Sequence, residues 1–469
     1  MESHSTRPYW ESLRLYGNAI AVLDPQMELS WTYLSLAELV EWCAARLRTP
    51  AKSLVFICCE NNVGSLACYL GSMAAGNTAY MSPVRINHSS MVETIERYRP
   101  EFILWRSGTP SPALSKFYDL VEPIAGYNAI QRSGVRDSPF HPELALLLST
   151  SGSSGGAKLA RLSVSGISIA AAQVVNALAV SDRDRAVVAL PLAYVYGLTV
   201  VNSHLLAGGS VVLERRSPAD RSFWDALAHT EVTTFAGVSL TYDFMRMHDI
   251  GAGLLPKLEK LTHAGGRIDQ ITLSWLFQRY AKGGRKVFLM YGQTEASGRI
   301  SVLPPELLIE KGNSVGRPVQ FGGVSISPKD DEIVFTGPNV MLGYASRRED
   351  LSRGDDMGGQ LHTGDLGFLD RGGLLHITGR SKRICKILGN RINLDVTEDY
   401  FCDICAVAVI GEDEHLILFV EGEIDRIRLR ARQFISESRL PSQCLTIHKV
   451  ASLPRTANGK LSYRELSQT

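Results

Sequence analysis

The stretch QITLSWLFQRYAKGGRKVFLMYGQTE, residues 270–295, decides the fold class. Its first half places Leu273, Leu276, Phe277 and Tyr280 at helical spacing, and Gly283-Gly284 then ends the pattern. Its second half, KVFLMYG (286–292), is a short apolar run of strand length. A helix handed through a glycine turn to a buried strand is one period of an α/β chain. The same period repeats to either side.

Upstream, SLVFICC (53–59) reads as a buried strand followed by a helix near 65–75, and ALLLST (145–150), AVVALPL (186–192), GSVVLE (209–214) and TTFAGV (233–238) read as further strands. FWDALAHT (223–230) reads as another helix. The alternation predicts an α/β fold with mainly parallel sheets. The most apolar run, Ala186–Val201, is short for a membrane span and is broken by Pro191 and Gly197, so it reads as a buried strand followed by a loop. After about residue 300, glycine-rich turns such as GRPVQFGG (316–323) and DRGGLLHITGR (370–380) predict a small β-rich subdomain. From 382 onward a compact segment follows, with strands near 406–411 and 415–422 and a helix near 424–439. The expected division is a domain of residues 1–380 and a small one of 382–469.

Lys+Arg number 49 and Asp+Glu 48, a balance that gives no support for a nucleic-acid or anionic-membrane partner. The N-terminus MESHSTRPYW lacks the apolar core of a secretory signal, and a cytoplasmic location is expected. Eight cysteines without dense spacing, including the single pair Cys402 and Cys405, read as reduced thiols rather than a metal site.

Four motifs carry chemistry. Ser151-Gly152-Ser153-Ser154-Gly155-Gly156-Ala157-Lys158 follows a strand. A loop of small residues can wrap phosphates with its backbone N–H groups, and Lys158 adds a positive charge. It does not fit the Walker A pattern, because Ala157 precedes the lysine and Leu159 follows it. A flexible surface loop is the plain alternative. Tyr291-Gly292-Gln293-Thr294-Glu295 ends a strand with an aromatic ring, a hydroxyl and a carboxylate. That set suits a purine, a phosphate and Mg2+; a turn with a solvated glutamate is the alternative. His362-Thr363-Gly364-Asp365, with Arg380 further on, offers a carboxylate to vicinal hydroxyls, as acidic residues do in dinucleotide sites. Its alternative is a turn aspartate. Pro454 to Lys460 sets a lysine on a glycine turn, where it can stabilise charge developing at phosphorus or stay solvated.

In this order and spacing the four motifs resemble the adenylate-forming superfamily of acyl-CoA synthetases, peptide-synthetase adenylation domains and luciferases. The resemblance covers roughly 144–460. It implies a large domain of two α/β subdomains and a β-barrel, followed by a small mobile domain. It implies ATP and Mg2+ as cofactors and a small-molecule carboxylic acid as substrate. Ser151, Gly152, Ser153, Ser154, Gly155 and Lys158 resemble the phosphate loop. Tyr291 and Gly292, with Gly265 and Gly266, resemble the adenine side. Thr294 resembles the phosphate contact and Glu295 the Mg2+ ligand. Asp365, with Arg380, resembles the ribose contact, Lys382 the hinge, and Lys460 the adenylating lysine. Tyr194, Tyr196, Gly237, Ser239 and His263 are candidates for the acid pocket, and Gly389 for the thiol tunnel.

The chain departs from the pattern at several places. Serines stand at 153 and 154 where threonine is usual, Ala157 replaces proline, Leu159 replaces glycine, and Tyr194 stands at a position often held by a histidine or aromatic gate. Ala236 and Gly237 stand where an amino-acid-activating domain places an aspartate, which favours an acid without a free α-amine. The expected reaction forms an acyl-adenylate and pyrophosphate, then transfers the acyl group to CoA or a carrier protein's phosphopantetheine. Two alternatives are an amine acceptor and a non-catalytic nucleotide-binding scaffold.

Overall fold

The computed structural model describes residues 8–83, 88–106, 117–133, 139–150, 158–381, 383–387, 390–412, 414–422, 424–438, 440–456 and 460–467. The chain forms two compact units. The first comprises Met1–Gly312, Pro318–Gly323 and Thr336–Leu361; the second comprises Asn313–Arg317, Val324–Phe335 and His362–Thr469. The expected boundary at 380–382 therefore falls inside the second unit, because the β-rich segment groups with the C-terminal residues.

Two large sheets build the first unit. One runs in the order 301–303, 286–291, 260–263, 234–237, 185–188, 210–213, 20–24 and 29–32. Its middle is parallel: Lys260 registers with Lys286, Thr234 with Lys260, and Ala186 with both Thr234 and Val211. These strands are buried along almost their whole length, which is why they read as unbroken apolar runs. The other sheet runs 343–345, 159–163, 144–149, 78–83, 54–59, 102–106, 127–132 and 118–124, again parallel at its centre.

Helices start where short polar side chains cap them. Thr32, Asn62, Ser163 and Asp269 each accept a backbone N–H from the first turn of the helix that follows. The apolar run 186–201 departs from its reading as strand and loop. Arg185–Val188 is a strand, but Val195–Leu206 is a helix with every residue except Leu206 buried. A helix buried on all faces carries no amphipathic period for sequence reading to detect.

In the second unit the β-rich segment forms a sheet ordered 323–326, 332–336, 360–369 and 375–380. The C-terminal segment adds a hairpin of 384–387 and 390–393 and a three-stranded sheet of 406–412, 415–421 and 445–449. Helices Leu394–Phe401 and Ile424–Glu437 contribute Phe401, Ile427 and Phe434 to a core with Val409, Leu418 and Val420.

Candidate functional site

Parallel sheets expose the carboxyl ends of their strands to ligands, and the candidate residues of the first unit gather there. Tyr194 follows strand Arg185–Val188, Ser239 follows Thr234–Gly237, Gly265 follows Lys260–His263, and Thr294 and Glu295 follow Lys286–Tyr291. These four strands are neighbours in one sheet, so residues spread over a hundred positions share one edge.

The YGQTE segment is shaped by backbone. A Cβ on Gly292 would stand 2.2 Å from the carbonyl oxygen of Gly298, so no side chain fits there. Thr294–Ala296 forms one tight helical turn, and the Glu295 carbonyl accepts the N–H of Met341 at 2.8 Å. The Glu295 carboxylate accepts the Tyr344 hydroxyl at 2.8 Å. Burial and the neighbouring carboxylate push the Tyr344 phenol well above its ordinary pKa, so it stays a donor. The Lys158 ammonium lies 5.9 Å from the Tyr344 ring centre. An ammonium, a phenol and a carboxylate thus converge from both sheets.

Gly265 is in the left-handed region at φ 92°, and a Cβ there would lie 2.7 Å from the Tyr194 hydroxyl oxygen. Ser239 donates its hydroxyl to the Arg267 carbonyl at 2.7 Å and lies 3.1 Å from His263 Nε2. Burial holds the His263 imidazole down at about 4, so the ring is neutral at pH 7. Gly237 packs against the Tyr242 ring, where a Cβ would approach to 2.8 Å. Tyr196 spends its hydroxyl on the Thr262 carbonyl and side-chain oxygens, at 2.8 and 2.7 Å, inside the core. Tyr291 is buried at its strand end.

In the second unit Asp365 and Arg380 stand opposite each other on adjacent antiparallel strands, with Arg380 Nε 3.4 Å from the Asp365 carboxylate. Thr363 accepts the Asp365 N–H and donates to the Ile333 carbonyl, fixing the turn. The Lys460 carbonyl accepts the Thr456 N–H at 2.7 Å, and Arg455 forms an antiparallel bridge with Leu461. Ser151, Gly152, Ser153, Ser154 and Gly155 lie outside the described residues, as do Lys382 and Gly389.

Among the described residues no group of three or more His, Cys, Asp or Glu forms a metal cluster. A magnesium ion carried by nucleotide phosphates asks the protein for only one or two carboxylates, and Glu295 fits that demand. No described helix is long and apolar enough to cross a membrane.

Sequence reading missed two residues here. Tyr344 sits in MLGYAS, where its only signal is an aromatic among small residues. Arg299 sits in ASGRISV, a charge among small and apolar residues four positions after Glu295, and it is 1% exposed.

Residues 9–345 match the family of AMP-binding enzymes. The 2-succinylbenzoate–CoA ligase of Bacillus subtilis (strain 168) is 27% identical over 348 residues, 69% of this chain and 68% of the relative. That of Bacillus cereus (strain AH820) is 28% identical over 312 residues, and the aligned stretch spans 62% of this chain and 63% of that relative. Among solved structures, the o-succinylbenzoate CoA synthetase of Bacillus subtilis in complex with its acyl-adenylate intermediate superposes with a TM-score of 0.81 at 19% identity, covering 98% of each chain. ATP-bound MatB from Rhodopseudomonas palustris gives 0.80 at 19% identity, again over 98% of each chain. At this identity these likenesses speak for the fold.

Proposed function

The chain belongs to the AMP-binding enzyme family and is an AMP-forming ligase, and we propose that it activates a carboxylic acid lacking a free α-amine and passes the acyl group to the thiol of CoA. The observation that carries the proposal is the convergence of Lys158, Tyr344 and Glu295 at the strand ends that also hold Tyr194, Ser239 and Gly265. The CoA-ligase relatives support the thiol acceptor over an amine.

In this reading the acid carboxylate attacks the α-phosphorus of ATP in line and pyrophosphate leaves. Little covalent chemistry is asked of the protein, so positioning and charge neutralisation supply the rate. Magnesium, held by Glu295, would neutralise phosphate charge. Tyr344 orients the Glu295 carboxylate for that ligation. Thr294 and Lys158 hold the phosphates, with the loop 151–155. Asp365, with Arg380 beside it, takes the ribose hydroxyls. Lys460 stabilises the charge that develops as carboxylate oxygen meets phosphorus. The thiol then attacks the acyl carbonyl and AMP leaves, after the small domain turns about Lys382, with Gly389 lining the approach.

The test is acid-dependent pyrophosphate release over an acid panel, wild type against Lys460→Ala, followed by addition of CoA or amines to the acyl-adenylate. A wild type that releases no pyrophosphate with any acid would sink adenylation. Faster consumption with amines than with CoA would sink the thiol acceptor.

A further inference from the structure

A lysine side chain is a point charge on a flexible four-carbon stem, so the charge of Lys460 is placed only as well as its backbone is held. Two short segments of the second unit hold it. The Pro454 carbonyl accepts the Ser462 N–H at 2.8 Å, Arg455 bridges Leu461 in antiparallel register, and the Lys460 carbonyl accepts the Thr456 N–H at 2.7 Å. Apolar contacts fasten the base of this pairing. Leu453 and Leu466 are buried in one cluster with Ala408, Ile410 and Phe419 of the three-stranded sheet.

The first residue of helix Tyr463–Leu466 carries a second attachment. The Tyr463 hydroxyl donates to Glu398 Oε2 at 2.9 Å. Burial and the charge of Glu398 push this phenol well above its ordinary pKa, so it stays a donor. Glu398 Oε1 accepts Arg383 Nη2 and the Val409 N–H, each at 2.6 Å. Arg383 Nε bonds Asp395 at 2.5 Å, and the guanidinium lies 3.7 Å from the centre of the Tyr463 ring. The Arg383 and Glu398 side chains are only 11% and 15% exposed. Breaking a largely buried ion pair is far more unfavourable than breaking one at the surface, so this frame is stiff. The ring is gripped on its face by a cation and at its tip by a carboxylate. Arg383, helix Leu394–Phe401 and strand Ala406–Glu412 thus meet at the residue three positions after Lys460.

We propose that Tyr463 is a positioning residue for adenylation: by fixing the segment that carries Lys460 to Arg383 and Glu398, it sets where the lysine charge stands when carboxylate oxygen meets phosphorus. The inference rests on the reading of Lys460 as the adenylating lysine and names the residue through which that lysine is placed.

Tyr463→Phe keeps the ring against Arg383 and removes only the hydroxyl. Acid-dependent pyrophosphate release should slow about tenfold in kcat, with KM for ATP and for the acid within about twofold, because a displaced charge is felt in the rate rather than in substrate binding. Thioester formation from a preformed acyl-adenylate should stay within about twofold of the wild type, since that step does not use the lysine. In a Lys460→Ala background there is no charge left to place, so adding Tyr463→Phe should change pyrophosphate release by less than about twofold; a merely structural role would show the same factor in both backgrounds. Arg383→Lys keeps a positive charge but loses the flat contact with the ring, and should slow the same half-reaction by about threefold. A full adenylation rate in folded Tyr463→Phe, equal loss in both half-reactions, or the same factor with and without Lys460 overturns the proposal. Should Tyr463→Phe not fold, an unchanged rate in Arg383→Lys overturns it. If the wild type activates no acid, or Lys460→Ala adenylates as fast as the wild type, the underlying reading fails and the proposal with it. If Lys460→Ala is slow and Tyr463→Phe is not, that reading stands and this inference alone falls.

Discussion

Tyr344 reaches from the edge strand 343–345 of one sheet to donate its hydroxyl to Glu295, at the strand end of the other, at 2.8 Å. The proposed metal ligand is thus oriented by a residue from a separate part of the core. Tyr344→Phe keeps the ring and removes only that hydrogen bond. Apparent Mg2+ affinity should fall about tenfold, as when a partner behind a ligand is lost, with little change in thermal stability. Glu295→Gln should cost about 100-fold or more in adenylation. Titrating Mg2+ in the pyrophosphate assay checks both, and an unchanged Mg2+ dependence in Tyr344→Phe would remove the orienting role.

Lys460→Ala should lower acid-dependent pyrophosphate release by about 100-fold or more. It should leave thioester formation from a preformed acyl-adenylate near the wild-type rate. Measuring the two half-reactions separately decides the matter, and equal loss in both would show that the lysine serves more than the first step.

The Lys260 ammonium contacts both Asp184 carboxylate oxygens, at 2.8 and 2.9 Å, and the Ala179 carbonyl at 2.8 Å, all within the core. Lys260→Ala strands a buried carboxylate and should cost about 3–5 kcal/mol. Replacing the pair together, Lys260→Met with Asp184→Leu, should be much milder. Chemical denaturation of the three proteins measures it, and a double variant as weak as the single one would contradict the charge argument.

The two units should answer pH in opposite senses. Burial holds His204 and His263 of the first unit down at about 4, below the ordinary 6.5. Their contribution is complete above about pH 6.5 and is lost as pH falls toward 4, roughly 3 kcal/mol for each. Burial pushes Glu398 of the second unit up to about 7, against the pull of Arg383. That contribution is complete below the ordinary carboxylate range and is lost as pH rises through 7. Hydrogen exchange followed from pH 4 to 8 should show protection rising with pH in 260–263 and falling in 406–412. Parallel trends in both segments would refute the assignment.

Gly265→Ala puts a methyl group 2.7 Å from the Tyr194 hydroxyl on a left-handed backbone. Stability should drop by about 1–3 kcal/mol, and kcat/KM for the acid should fall more than kcat/KM for ATP. Gly292→Ala meets backbone instead, 2.2 Å from the Gly298 carbonyl oxygen, and should disturb Thr294 and Glu295 together. Steady-state kinetics with each substrate varied in turn separates the two cases.

Period and composition made much of this legible. The strands at 54–59, 144–149 and 286–291 lie within a residue of their expected positions, because buried parallel strands are written as apolar runs between turn residues. Helix 195–206 escaped, since burial on every side erases its period. The strand-end positions of Thr294 and Glu295 could be read because the apolar run before them breaks at Gly292, a position that must stay small. Tyr344 and Arg299 could not be read. Their meaning depends on partners far off in the chain, Glu295 for one and Tyr196 for the other.

In the second unit the Arg383 guanidinium lies 3.7 Å from the centre of the Tyr463 ring and bonds Glu398, which also accepts the Tyr463 hydroxyl at 2.9 Å. Arg383 follows the proposed hinge residue and Tyr463 stands three positions after Lys460, so one clasp ties pivot to payload. In the proposed mechanism a turn about Lys382 would deliver or withdraw the Lys460 charge in a single stroke. Such an enzyme would order its two reactions as a turnstile does, by position rather than by titrating a group. Loosening the clasp, as Tyr463→Phe would, blurs that order and lets acyl-adenylate escape to water before the thiol arrives.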